Sequence, residues 1–110
     1  MAIYSNLTID QGSTFKADID VTDSDGDALN LAGYTVAGQL RKNYSSSTST
    51  DFTASVTSTI NGTIRISLSA TQTNDLKAGR YVYDVEITSS TGEVTRVLEG
   101  QVEVTPGVTR

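Results

Sequence analysis

The sequence predicts an all-β fold, a sandwich of seven or eight short antiparallel strands. Apolar and polar residues alternate with a period of two along most of the chain, most cleanly over residues 15–21. Turn-forming residues separate these runs at intervals of roughly 8–12 residues, which is typical of a sandwich or a small barrel. The 110 residues have the size of one domain and show no internal boundary, so one domain over 1–110 is predicted.

Each strand is placed by the apolar positions of one alternating run. The runs begin at Ile3, Phe15, Tyr34, Phe52, Ile64, Tyr81 and Val94. Between two of them, Asn61 and Gly62 form the dipeptide favoured in a two-residue type I′ hairpin. In the last run the apolar residues occupy even-numbered positions, but so do Arg96 and Gly100. The alternation is therefore imperfect, which predicts a bulge near Gly100.

One segment departs from the strand pattern. Over residues 69–76 the alternation stops, and Ser69 followed by Gln72 has the form of a helix capping box. One short helical turn is therefore predicted there.

Composition narrows the functional classes. The chain has 8 Lys and Arg against 13 Asp and Glu, and no basic cluster exceeds Arg41-Lys42, so a nucleic-acid partner is not expected. It has no Cys and no His, which excludes disulfides and thiolate metal sites. No apolar run approaches membrane length and no signal peptide is recognised, so we expect synthesis in the cytoplasm and no membrane partner.

Carboxylates are the main remaining candidates for catalysis. Asp18 with Asp20, and Asp84 with Glu86, each place two acids on one strand face, opposite the apolar face. A glycosidase would need two carboxylates facing each other across a cleft. Solvated outer faces are the favoured interpretation, so no enzyme activity, catalytic residue or cofactor is predicted, and a carboxylate hydrolase is the minor alternative.

The segment 23–27 has the look of a calcium loop, with Asp23, Asp25 and Asp27 at alternating positions. An EF-hand loop needs Gly at its sixth position and Glu at its twelfth, but here Gly comes too early and the twelfth residue is Tyr34. A solvated turn is therefore favoured, and a weak surface calcium site is the alternative.

Tyrosines supply the remaining candidate residues. Tyr81 follows the segment Leu76-Lys77-Ala78-Gly79-Arg80 and resembles the tyrosine corner of Ig-like sandwiches, in which the hydroxyl bonds the upstream backbone. Gly79 and Gly33 are assigned structural roles with Tyr81. Exposed tyrosines suit interfaces, so the candidate contact residues combine them with the basic pair beside the Ser/Thr-rich loop 43–50: Tyr4, Arg41, Lys42 and Tyr44.

Four motifs in order carry a resemblance to a known family. They are Gln11-Gly12-Ser13-Thr14-Phe15, then the turn Asp23-Ser24-Asp25-Gly26, then Leu29-Asn30-Leu31-Ala32-Gly33-Tyr34-Thr35-Val36, then Gly79-Arg80-Tyr81-Val82-Tyr83-Asp84-Val85. From Gly12 to Val104 the chain resembles small Ig-like virion proteins of tailed bacteriophages. It is also similar to the N-terminal domain of phage baseplate upper proteins.

The resemblance implies an Ig-like fold and a non-enzymatic structural protein of the virion, without a cofactor. Its expected partners are other virion proteins of the capsid, neck, tail or baseplate, and a homo-oligomer or symmetric array is expected on the particle. Baseplate upper proteins continue into long fibre segments that this chain lacks, which favours a decorating subunit over an anchor for fibres. The alternative is a carbohydrate-binding adhesion module that uses Tyr4 or Tyr44.

Overall fold

In a computed structural model, which describes residues 3–23 and 25–108, two β-sheets pack face to face around one apolar core. The elements within these residues are β1 Ile3–Tyr4, β2 Leu7–Asp10, β3 Phe15–Asp20, β4 Thr35–Arg41, β5 Thr50–Asp51, β6 Thr53–Ser58, β7 Thr63–Leu68, α1 Ala70–Asn74, β8 Gly79–Thr88 and β9 Val94–Thr105.

The larger sheet has the strand order β1-β9-β8-β4-β5, with β2 also paired to β9. The smaller sheet has the order β3-β7-β6. Along β8 buried and half-buried residues alternate, because successive side chains of a strand point to opposite faces of its sheet. The protein is an Ig-like β-sandwich, so the predicted fold class is confirmed, with nine strands in the described residues instead of seven or eight.

The first two strands correct the prediction that all strands are antiparallel. Both β1 and β2 run parallel to β9, with Ile3 beside Leu98 and Leu7 beside Val102. Periodicity reports which face of a strand is buried but carries no information on the direction of its neighbour. Between β1 and β2 the backbone of Ser5 passes so close to Gly100 that a Cβ there would collide with it.

The turn after β6 also differs from the prediction. Ser58 pairs with Thr63, so the connection has four residues, 59–62, and is not a two-residue type I′ hairpin. A type I′ turn needs positive φ at both central residues, but only Gly62 has it here, with φ +67°. Gly62 is held by its surroundings, since a Cβ would lie 2.6 Å from the carbonyl oxygen of Val21.

The predicted bulge lies at Val97 and not near Gly100. Val85 pairs with Leu98 while Glu86 pairs with Arg96, so Val97 is the extra residue. Gly100 pairs regularly with Tyr83. The bulge lets two consecutive apolar residues, Val97 and Leu98, both be buried, which explains the shift in parity along β9.

The predicted helical turn is confirmed as α1, and it begins with the predicted capping box. The side chain of Ser69 accepts from the Gln72 N–H, and the side chain of Gln72 accepts from the Ser69 N–H. The fully buried Thr73 hydroxyl accepts from the Gly12 N–H at 3.0 Å and lies 2.8 Å from the Ser13 carbonyl oxygen. These contacts fasten α1 to the turn between β2 and β3.

Side chains from both sheets form the core. Its fully buried members include Ile9, Leu40, Ile64, Ile66, Val85 and Val102. A row of three rings crosses from the smaller sheet to the larger: Phe15 lies 6.2 Å from Phe52, and Phe52 lies 6.2 Å from Tyr83 in an edge-on geometry. Among the described residues no helix is long and apolar enough to cross a membrane.

Candidate binding surface

The outer face of the larger sheet carries a shallow depression of about 370 Å³. We call this surface the charged face, and its main side chains are Gln39, Arg41, Asp84, Glu86, Arg96 and Glu99. Tyr44 lies at its rim. A second depression of about 430 Å³ shares three of these residues and continues along β4 past the small side chain of Ala37. The face is therefore broad and polar.

The bulge at Val97 assembles part of this face. In a regular strand, residues three apart point to opposite sides, but the extra residue turns Arg96 and Glu99 to the same side. The Nε of Arg96 lies 3.3 Å from the Asp84 carboxylate, and an Arg96 Nη lies 3.8 Å from the Glu99 carboxylate. One guanidinium thus neutralises part of the charge of two acids, which leaves the face mildly acidic.

Arg41 orders the loop that presents Tyr44. One Nη of Arg41 donates to the carbonyl oxygen of Ser46 at 2.8 Å, and the other donates to the side-chain oxygen of Gln39 at 3.0 Å. The side chain of Asn43 caps the same turn by accepting from the Ser45 N–H. Tyr44 projects from this turn with 84% of its surface exposed. Its ring is available to a partner on a braced loop.

Lys42 belongs to a different surface from Arg41, because neighbouring residues of a strand end point to opposite sides. Its Nζ lies 4.9 Å from the centre of the Tyr81 ring, a cation–π contact. The Tyr81 hydroxyl donates to the Lys77 carbonyl oxygen at 2.7 Å, which is the hydrogen bond of a tyrosine corner. A Cβ at position 79 would lie 2.9 Å from the Lys42 Nζ, so the glycine leaves room for the lysine side chain.

Tyr4 extends the charged face at its far side. It is 61% exposed and pairs in register with Glu99, so the two side chains point to the same face of the sheet. Three of the four predicted contact residues, Tyr4, Arg41 and Tyr44, therefore border one surface, and Lys42 does not. Gly33 lies away from the charged face, in the turn before β4. Its φ is +80°, and a Cβ there would lie 3.3 Å from the Cβ of Ser90.

In the acidic segment predicted as a possible calcium loop, the Asp23 side chain holds the backbone of Asp25 and Asp27. One carboxylate oxygen of Asp23 accepts from the N–H groups of Asp25 and Asp27, at 2.9 and 3.0 Å. No group of three or more metal-ligating side chains forms in the parts of the chain that the structure describes. These contacts are those of an Asx-type turn, so the geometry adds no support to calcium binding.

The two predicted acid pairs lie on the outer faces of different sheets. Asp84 and Glu86 belong to the charged face of the larger sheet. Asp18 and Asp20 lie on β3 of the smaller sheet. Arg65 contacts Asp18 through Nε at 2.7 Å, and this hydrogen bond holds the pKa of the Asp18 carboxyl below its usual value. The pairs therefore share no cleft.

Besides Gln39, sequence reasoning missed two charged residues of the charged face, Arg96 and Glu99. Their parity differs in the sequence, and only the bulge brings them to one side. The available signal was the apolar doublet Val97-Leu98, since two consecutive buried residues require an extra residue in the strand.

Comparison with known proteins gives a likeness in fold. No family model matches the chain, and no curated protein matches it. An internalin-like protein of Listeria monocytogenes has 17% identity and a TM-score of 0.51, over 94% of this chain but 28% of that one. A VGSC beta subunit studied for multimeric cell-adhesive interactions has 17% identity over 93% of this chain and 92% of its own, with a TM-score of 0.48.

A family 123 glycoside hydrolase from Clostridium perfringens has 14% identity over 97% of this chain and 24% of its own, with a TM-score of 0.44. This chain thus spans less than a third of the internalin-like protein and of the hydrolase. The internalin-like protein agrees with the architecture described above, and at this identity the likeness concerns the fold alone.

Proposed function

We propose that the chain is a non-enzymatic structural protein of a bacteriophage virion that docks on other subunits of the particle. The observation that carries the proposal is the residue pattern from Gly12 to Val104, which resembles small Ig-like virion proteins. In the structure, Gly33 lies in a turn, Gly79 begins β8, and Tyr81 makes the hydrogen bond of a tyrosine corner. The resemblance therefore includes residues that stabilise the fold. The partner subunits of the particle contact the exposed surface of the sandwich.

One end of the sandwich supports docking. The N–H of Leu31 donates to the carbonyl oxygen of Thr59 at 2.8 Å, and Gly33 packs on Ser90, so three connecting segments meet there. Next to this junction Ile60 is 77% exposed and Val94 is 56% exposed. Ile60 lies on a turn and Val94 begins β9, and exposed apolar side chains at such ordered positions are the kind of group that protein interfaces bury.

The polar walls of the sandwich suit a subunit that binds many times on a symmetric particle. The charged face pairs its own arginine with two acids, so it offers hydrogen bonds and little net charge. Such contacts are weak individually, and symmetry multiplies them. The proposal includes location in the virion, other virion proteins as partners, and no cofactor.

The test is mass spectrometry of purified particles with copy-number counting. We expect many copies per particle, and we expect the particle-bound protein to resist a protease concentration that digests the same protein in free form. A variant Ile60→Ser should lower the copy number, whereas the matched Thr59→Ser on the same turn should leave it unchanged. Absence of the protein from purified particles would reject the proposal.

A second candidate, a carbohydrate-binding adhesion module, is favoured by the position of Tyr44. Its exposed ring stands beside Arg41 and the acids of the charged face, which is a combination that stacks on a sugar ring and bonds its hydroxyl groups. A glycan array distinguishes this function. Binding should be lost in Tyr44→Ala and retained in Tyr44→Phe, and an array without any bound glycan rejects it.

A further inference from the structure

The exposed edges of the two sheets are not equivalent. The larger sheet ends in β5, which has two residues, and in β1 and β2, which are interrupted at Ser5 and Asn6. In the smaller sheet, the edge strand β6 has a bulge at Thr57, which distorts its line of hydrogen-bonding groups. The other edge strand, β3, pairs six consecutive residues with β7 without a shift in register. Among the described strands, β3 is the long and regular edge.

The direction of the hydrogen bonds shows which groups of β3 face outward. Just after β3, the N–H of Val21 donates to the carbonyl oxygen of Gly62, which lies on the β7 side. Residues of the same parity within β3, such as Ala17 and Ile19, therefore bond to β7. The backbone N–H and C=O groups of Lys16, Asp18 and Asp20 point to the free side and are available to another strand.

The inward-facing residues of β3 are apolar and incompletely buried, so a neighbouring strand can pack beside them. Phe15, Ala17 and Ile19 point toward the core but are only half-buried. Natural edge strands are commonly protected by a proline, a bulge or a charge on the inward side. Within β3 the inward positions carry none of these.

We propose that β3 pairs antiparallel with β3 of a second copy of the chain, about a two-fold axis at Asp18. Lys16 of each copy then lies opposite Asp20 of the other, so the interface contains two symmetric pairs of opposite charges. The three outward-facing residues of each strand form about six backbone hydrogen bonds. On the inner side Ala17 meets Ile19 of the second copy, and Phe15 meets Val21.

The two-fold axis also brings the two Asp18 residues together, and the structure provides for their charge. Within each chain, the Nε of Arg65 lies 2.7 Å from one Asp18 oxygen and an Arg65 Nη lies 3.3 Å from the other. Each carboxylate therefore enters the contact with its own guanidinium. Among the described residues Asp20 makes no ion pair and accepts a side-chain hydrogen bond from the Thr63 hydroxyl at 3.3 Å, so its charge is available to Lys16 of the other copy.

A single strand pair makes a small interface. Stable complexes bury about 1,200 Å² or more, so this dimer forms weakly in dilute solution and more completely where copies are concentrated. It concerns the isolated chain and does not depend on the proposed role in a virion. The two proposals therefore fail independently, since self-association is measured on the purified protein and particle incorporation is not.

The test is a charge-reversal cycle followed by sedimentation equilibrium of the full chain. Lys16→Asp and Asp20→Lys each create two like-charge contacts, so each should weaken dimerisation by about tenfold. The double variant Lys16→Asp/Asp20→Lys restores opposite charges in this register and keeps the wild-type net charge, so it should recover the wild-type affinity. Far-UV circular dichroism checks that every variant is folded.

Two matched controls separate the register from general charge effects. Arg80→Asp and Glu93→Lys change the net charge by the same amounts at exposed positions outside the smaller sheet, and both should dimerise like the wild type. A wild-type chain that is monomeric up to millimolar concentration overturns the proposal. So does a dimer whose affinity is not recovered in the double variant, because that result excludes the pairing of Lys16 with Asp20.

Discussion

Tyr83 extends its hydroxyl group across β9 to the backbone of the first strands. The ring lies in the core with 4% of its surface exposed, and the hydroxyl donates to the carbonyl oxygen of Ser5 at 2.6 Å. Burial raises the pKa of Tyr83 to about 12 from the usual 10.0. Between these values the unfolded chain has lost the phenol proton and the folded chain has kept it.

The contribution of Tyr83 to stability is therefore complete below pH 10 and is lost as the pH rises to about 12. We expect Tyr83→Phe to be less stable than wild type by about 1 kcal/mol at pH 8, because the hydrogen bond to Ser5 is lost. Above pH 10 the stability advantage of wild type over Tyr83→Phe should shrink and then reverse, because only wild type must keep its buried phenol protonated. The total change in this difference is ~2 kcal/mol. Urea unfolding at a series of pH values measures it, with Tyr44→Phe as the exposed control. Parallel pH profiles for wild type and Tyr83→Phe would contradict the prediction.

Gly100 is required by the close approach of Ser5. A side chain at position 100 would meet the Ser5 backbone, so Gly100→Ala should push β1 and β2 away from β9 and lower the free energy of unfolding by about 2 kcal/mol or more. Gly92→Ala is the control, because nothing lies within 4 Å of its Cβ position and only the backbone strain at φ +91° remains. Hydrogen exchange should be faster in the β2 amides of Gly100→Ala alone. Equal protection of β2 in both variants would be evidence against the collision.

Among the elements, α1 depends on its attachment to the turn before β3. Thr73→Val keeps the shape of the side chain but removes the hydroxyl that serves Gly12 and Ser13, so we expect a loss of ~1–3 kcal/mol. Thr71→Val makes the same change on the exposed side of the same helix and should change stability by less than about 0.5 kcal/mol. Chemical denaturation compares the two. Similar losses in both variants would attribute the effect to helix propensity.

The same elements show how far periodicity predicts a strand. For β3, β4 and β8 the sequence was sufficient, because one face of each packs on the core and the other faces outward. For β2 the burial of Ile9 was predictable, whereas both residues of β1 are exposed. The direction of neither strand was predictable, since their partner β9 lies near the other end of the chain. The N–H of Gln101, for example, bonds Asn6 across 95 residues of sequence. No local pattern contains that pairing.

The candidate surface was predictable to a similar extent. Tyr44 and Arg41 stand out in the sequence because an aromatic and a basic residue adjoin a polar loop. Lys42 follows Arg41 in the sequence but lies on another surface, where its cation packs on Tyr81. Arg96 joins Asp84 only through the bulge at Val97, and glycine, the usual marker of a bulge, drew the prediction to position 100.

At the scale of the whole molecule, both sheets depend on one core. Ile64 and Ile66 from the smaller sheet and Val85 and Val102 from the larger are all fully buried in the same cluster. Neither sheet has a second apolar layer, because their outer faces are charged or rich in Ser and Thr. Each sheet alone would expose its apolar side to water, so the two are expected to unfold together.

Differential scanning calorimetry should accordingly show one transition, with equal calorimetric and van't Hoff enthalpies and a heat-capacity change of roughly 1.3–1.6 kcal/mol/K. Phe52 lies between Phe15 of the smaller sheet and Tyr83 of the larger. Phe52→Ala should therefore lower the stability of the whole molecule by about 3 kcal/mol or more and keep a single transition. If the variant instead melted in two steps, the smaller sheet would be a separate folding unit. Because every surface described here is built on this shared core, a partner that binds the folded form at either end of the sandwich should stabilise both sheets equally.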